Sequence, residues 1–140
     1  MTQTEAERAL DDRAFVEAFE SCTLPAHRFH HRDHVRLAWL YLRGEEPARA
    51  LARFAEGLKR FAAALGQSGL YHETITWAYL LLIRERMERQ GDGASFEAFA
   101  ARNPDLMTWR PSILASYYRD DTLASPLARR TFVMPDRLGA

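Results

Sequence analysis

Apolar residues recur along most of this chain at helical spacing, and no segment alternates with the period of two that marks a half-buried strand. Leu51, Phe54, Leu58, Phe61 and Leu65 follow one another at intervals of three or four positions, the signature of a helix with one apolar stripe. Glu46-Pro47 opens that helix with proline at a position whose missing N–H costs nothing, and Gly66 closes it. Two other segments are apolar on every side. Residues 37–42 sit in a helix running from about His31–Asp33 to Arg43, with Asp33 as its N-cap and Gly44 as its stop. Residues 77–83 sit in a helix from about Tyr71 to Gln90, followed by the loop Gly91-Asp92-Gly93. All-round apolarity marks a buried helix, so Trp39 and Trp77 are assigned to the core with Phe54 and Phe61.

The ends are less regular. Thr4 and Glu7 have the spacing of a capping box for a first helix reaching about Ser21, with Phe15, Val16, Phe19 and Cys22 on one face. Asp11-Asp12 offers a later start, and Thr23-Leu24-Pro25 ends the helix. Ser95 caps a short helix through Arg102, which Asn103-Pro104 stops. Pro111 at a first helical position predicts another helix through about Arg119, and Ser125-Pro126 a last turn. From about residue 132 the chain reads as an extended tail, either packed over the bundle or frayed. The pattern therefore predicts an all-α fold: an up-down four-helix bundle core with short additional C-terminal helices, in one domain spanning 1–140.

Composition leaves that picture in place and narrows the partners. The chain has 140 residues, 47% hydrophobic and 27% charged, an ordinary globular mixture. Nineteen basic residues balance nineteen acidic ones. That balance gives no basic excess for a nucleic acid and no reason to expect a membrane surface. Eighteen of the nineteen basic residues are arginines, dispersed along the chain, and Lys59 is the single lysine. The one cysteine, Cys22, cannot form an internal disulfide, and the charged N-terminal stretch has no apolar signal region. The expected compartment is the cytoplasm. The aromatic C-terminal segment and the all-round apolar helices leave room for a homodimer.

The candidate chemistry lies in the histidines. Of five, His27, His30, His31 and His34 fall within eight residues, and His72 stands alone beside Glu73. Short loops make the second, third and fourth helices antiparallel in turn. The second and fourth therefore run parallel and begin at the same end. That arrangement gathers His30, His31, His34, Tyr71, His72 and Glu73 at one pole. His31/His34 at i, i+3 and His30/His34 at i, i+4 can each place two imidazoles on one ion. Helix N-termini disfavour imidazolium, and a neutral ring is what a metal ligand or general base requires.

The leading expectation is a metal-dependent enzyme acting on a small-molecule substrate. His31, His34 and His72 would hold a divalent transition metal, zinc or iron, with Glu73 and Tyr71 as catalytic groups. The alternatives are a metal-free lyase, isomerase or cyclase using His72 and Glu73 as acid and base, and a non-catalytic helical interaction module. His72-Glu73 begins like the zincin motif, but Thr76 occupies its second histidine position. Trp109-Arg110 and Tyr117-Tyr118-Arg119 could face a pocket, although an anchoring and packing role is the simpler account of both. In general type, a small helical bundle with histidines near one end, the chain resembles the DinB-like metal-binding bundles. The resemblance is one of architecture and carries over no residue.

Overall fold

The computed structural model describes residues 5–137, with side chains from residue 11 onward. The proposed Thr4–Glu7 capping box lies outside the described side chains. Among the described residues the fold is all-α: four long helices followed by four short ones. The long helices are α1 (Glu5–Glu20), α2 (His31–Gly44), α3 (Pro47–Ala64) and α4 (Glu73–Gln90). The short ones are α5 (Phe96–Arg102), α6 (Pro104–Met107), α7 (Asp120–Leu123) and α8 (Pro126–Arg130). Helices α2, α3 and α4 pack pairwise on one another, α1 packs on α3, and α8 packs on α4.

The central packing follows from the apolar pattern. Leu37, Ala38, Trp39, Tyr41 and Leu42 of α2 are all buried. The Trp39 indole N–H is satisfied by the Asp92 carbonyl at 2.9 Å. Gly57 allows α1 and α3 to approach closely, since a Cβ there would stand 2.5 Å from the Phe19 ring. Phe19 in turn stacks on Phe61, with centroids 5.6 Å apart, and meets Phe29 at 5.3 Å. Glu20 ties three helices together, accepting from Tyr41 at 2.7 Å and from Arg53 at 2.5 Å.

Several boundaries differ from the pattern for identifiable reasons. His30, not Asp33, is the N-cap of α2; Asp33 lies three residues on and its carboxylate takes the His30 N–H at 2.9 Å. Helix α4 begins two residues later than Tyr71 because the His72 side chain caps it. Asn103-Pro104 does stop α5, and Pro104 then opens the one-turn α6. The helix expected from Pro111 to Arg119 is instead a 3-10 turn over Ile113–Ser116. The Ser112 hydroxyl accepts the Leu114 N–H at 3.1 Å, so the side chain competes with a longer helix.

Trp77 also departs from its core assignment. It is half-buried and stacks on Phe132, with ring centroids 5.3 Å apart, while neighbouring Leu81 remains 45% exposed. The apolar surface of α4 is thus covered partly by the chain's own tail. Thr74 secures that tail by donating to the Thr131 carbonyl at 2.8 Å and accepting the Val133 N–H at 3.0 Å. The Tyr118 hydroxyl donates to the Val133 carbonyl at 2.7 Å. No helix among the described residues is long and apolar enough to cross a membrane.

Candidate functional site

A cavity of about 590 Å³ opens where α2 and α4 begin and α3 ends. Phe54, Leu58, Phe61 and Leu65 of α3 form its apolar wall. His31, His34 and Val35 enter from the first turn of α2, and His72, Ile75, Thr76 and Tyr79 from the start of α4. Phe29, Trp109 and Arg129 complete the mouth. The parallel course of α2 and α4 thus brings His31, His34 and His72 to one space. Its volume is in the range of small-molecule sites, and its mostly apolar lining with a few polar groups is their usual chemistry.

The three histidines have different free valences. His72 has none. Its Nδ1 accepts the Ile75 N–H at 3.1 Å, and its Nε2–H donates to the Leu123 carbonyl at 2.7 Å. It is both the N-cap of α4 and a tie to α7. His31 donates Nε2–H to the Leu106 carbonyl at 2.9 Å, while its ring packs edge-on to Tyr79 and tilted against Trp109. His34 donates Nδ1–H to the His30 carbonyl at 2.9 Å and stacks on Phe29 with centroids 4.0 Å apart. A carbonyl accepts but cannot donate, so each such bond fixes its ring nitrogen as the N–H.

His34 Nε2 and His31 Nδ1 therefore carry lone pairs with no protein partner. Among the described residues Glu45 Oε2 is the one fully buried side-chain nitrogen or oxygen lacking a partner. The two imidazole lone pairs thus reach open space, which in a cavity-lining side chain is the cavity. Burial lowers the pKa of all three histidines below the usual 6.5, against the opposing effect of their carbonyl bonds. Burial thus favours the neutral form of each ring.

The other expected residues divide. Tyr71 lines the cavity, and its hydroxyl donates to Glu73 Oε1 at 2.5 Å. Burial, and then that bond, push the phenol pKa well above its ordinary value, so Tyr71 keeps its proton. Glu73 is occupied by Tyr71 and stands outside the cavity lining. His27 and His30 are exposed. Cys22 packs against the main core. Tyr118 is buried as a packing residue, whereas Trp109, 43% exposed, is a genuine part of the mouth.

The three histidines of the expected metal centre share the cavity, but both ring nitrogens of His72 are engaged there by the protein. No group of three His, Cys, Asp or Glu side chains among the described residues is placed to hold an ion. Phe29 and Arg129 were not singled out from the sequence. Phe29 belongs to no periodic stripe, and Arg129 is one of eighteen dispersed arginines. The stacking partner of His34 and the cation of the mouth come from tertiary placement. No known protein family matches this chain, and no significant likeness is found among curated proteins or solved structures.

Proposed function

We propose that this chain is a small cytoplasmic protein that binds a mostly apolar small molecule in the 590 Å³ cavity and transfers a proton with His34. One observation carries the reading: His34 is a neutral imidazole whose Nδ1–H is held by the His30 carbonyl at 2.9 Å and whose Nε2 has no protein partner. That is the arrangement of an oriented general base, with the carbonyl in the orienting role. In the forward step the ligand's proton passes to Nε2. Burial opposes the imidazolium formed, its bond to His30 favours it, and the nearby His31 and Asp33 act against and for it respectively. The stacked Phe29 ring holds the imidazole plane. The C–H electron pair passes to the carbonyl as an enolate, from which the imidazolium returns the proton at another carbon in an isomerisation or a leaving group departs in an elimination.

The test is deuterium incorporation from D2O into a panel of carbonyl compounds with apolar substituents, followed by mass spectrometry. Wild type should accelerate exchange in at least one, His34→Gln should abolish the acceleration, and EDTA should leave it unchanged. Ligand binding with no exchange would reduce the protein to a binding module. A second reading uses the same two lone pairs. His31 Nδ1 and His34 Nε2, three residues apart on α2, could hold a zinc or iron ion whose shell water and ligand complete. Activity lost in EDTA and restored by zinc would favour it over the metal-free base.

A further inference from the structure

The cavity does not end at its mouth. A second cleft, about 520 Å³, adjoins it and shares Tyr71 and Arg129 as a common wall. Its other sides are Lys59, Ser68, Gly69, Pro126 and Arg130, so three cations line it and no carboxylate does. Net charge is zero, and six other arginines are paired with acids among the described residues, such as Arg36 with Asp12 at 2.8 Å and Arg86 with Asp105 at 2.7 Å. Lys59, Arg129 and Arg130 form no ion pair among the described residues.

Two of the three cations are positioned. Arg129 Nη1 donates to the Gly69 carbonyl at 2.8 Å and to that of Tyr71 at 3.4 Å, which leaves the rest of the guanidinium for a ligand. The Lys59 ammonium stands 5.1 Å from the centre of the Tyr71 ring. Glu73, two residues after Tyr71, is engaged by the Tyr71 hydroxyl. Unpaired cations gathered around a concave surface attract an anion and raise its local concentration.

We infer that the ligand is an amphiphilic anion, with its apolar body in the cavity beside His34 and its carboxylate or phosphate in the cleft of Lys59, Arg129 and Arg130. The inference rests on the cavity being a ligand site and adds the class of ligand. The shared Tyr71–Arg129 wall places the head group within one molecule's reach of the apolar chamber. Exposed Leu65 and Leu70 at the cavity rim continue its apolar surface toward solvent, the face a chain-like molecule needs in order to enter.

Calorimetric titration with decanol, decanoate and decyl phosphate tests it, on wild type and on the Lys59→Ala/Arg130→Ala double variant. Both substituted residues are exposed, so circular dichroism should report an unchanged fold. Wild type should bind at least one of the two anions roughly tenfold more tightly than decanol, and the double variant should remove most of that ratio, in keeping with exposed charge pairs. Added salt should shrink the ratio in wild type alone. The stronger of the two anions identifies the head group. If all three bind alike and the variant changes nothing, the anion inference is overturned while the cavity remains a ligand site. If none binds, both readings fall together.

Discussion

His72→Ala should cost the fold about 2–3 kcal/mol, and the structure apportions that loss. The imidazole supplies the N-cap of α4 through Ile75 N–H at 3.1 Å, a contribution of about 1 kcal/mol. Its Nε2–H holds the Leu123 carbonyl at 2.7 Å, another ~1 kcal/mol. The ring is 8% exposed, so truncation also loses packing of up to about 1 kcal/mol. His72→Asn separates these parts. Asparagine caps a helix as well as any residue, but its shorter side chain cannot span to Leu123. It should recover about 1 kcal/mol of the loss and no more. Urea unfolding with an unchanged m-value is the assay. Stability should rank wild type above Asn above Ala, with the Ala melting point lower by roughly 5–10 °C. An Ala variant as stable as wild type, or an Asn variant no better than Ala, would refute the assignment of His72 to capping and tying.

Acid should weaken the fold in a defined window. Burial sets the folded pKa of His31, His34 and His72 below 6.5, so the unfolded chain binds protons first. Stability should fall as pH drops below about 6.5 and level off below the depressed folded values, as read by urea midpoints across pH; a flat profile there would contradict buried neutral rings. Gly57→Ala should cost about 1–3 kcal/mol, because its Cβ would lie 2.5 Å from the fully buried Phe19 ring. Wild-type stability in that variant would mean the α1–α3 approach is looser than described. Asn103→Ala should cost about 2–3 kcal/mol by chemical denaturation, since it strips hydrogen bonds to Arg86, Gln90 and the Phe99 carbonyl from a fully buried side chain.

The course of α2, α3 and α4 was legible from apolar spacing, from Pro47 and from short loops, because those signals are local. So was the gathering of histidines at one pole, which needs only helix order and direction. What each imidazole does there was not legible. The partners of His31, His34 and His72 are the carbonyls of Leu106, His30 and Leu123. Two of these come from remote segments, and a backbone carbonyl leaves no residue-type signature. The same limit hid Asn103, which reads locally as a helix stop before Pro104 but is the hub joining α4, α5 and, through Arg86, α6. Trp77 looked like core because periodicity cannot tell burial under neighbouring helices from cover by a tail residue such as Phe132. His72, the histidine that gave the sequence argument its weight, has both ring nitrogens bonded within the fold, and the crowded His31 and His34 keep the free lone pairs.

The central claim is that His34 presents a neutral, unpartnered Nε2 to the cavity. Long-range proton–nitrogen correlation NMR of ¹⁵N-labelled protein at neutral pH reads this directly. The account predicts three neutral buried rings, with the proton on Nδ1 of His34 and on Nε2 of His31 and His72, and an Nε2 resonance of His34 that shifts when a ligand fills the cavity. A His34 ring that is charged at neutral pH, or that carries its proton on Nε2, would contradict it.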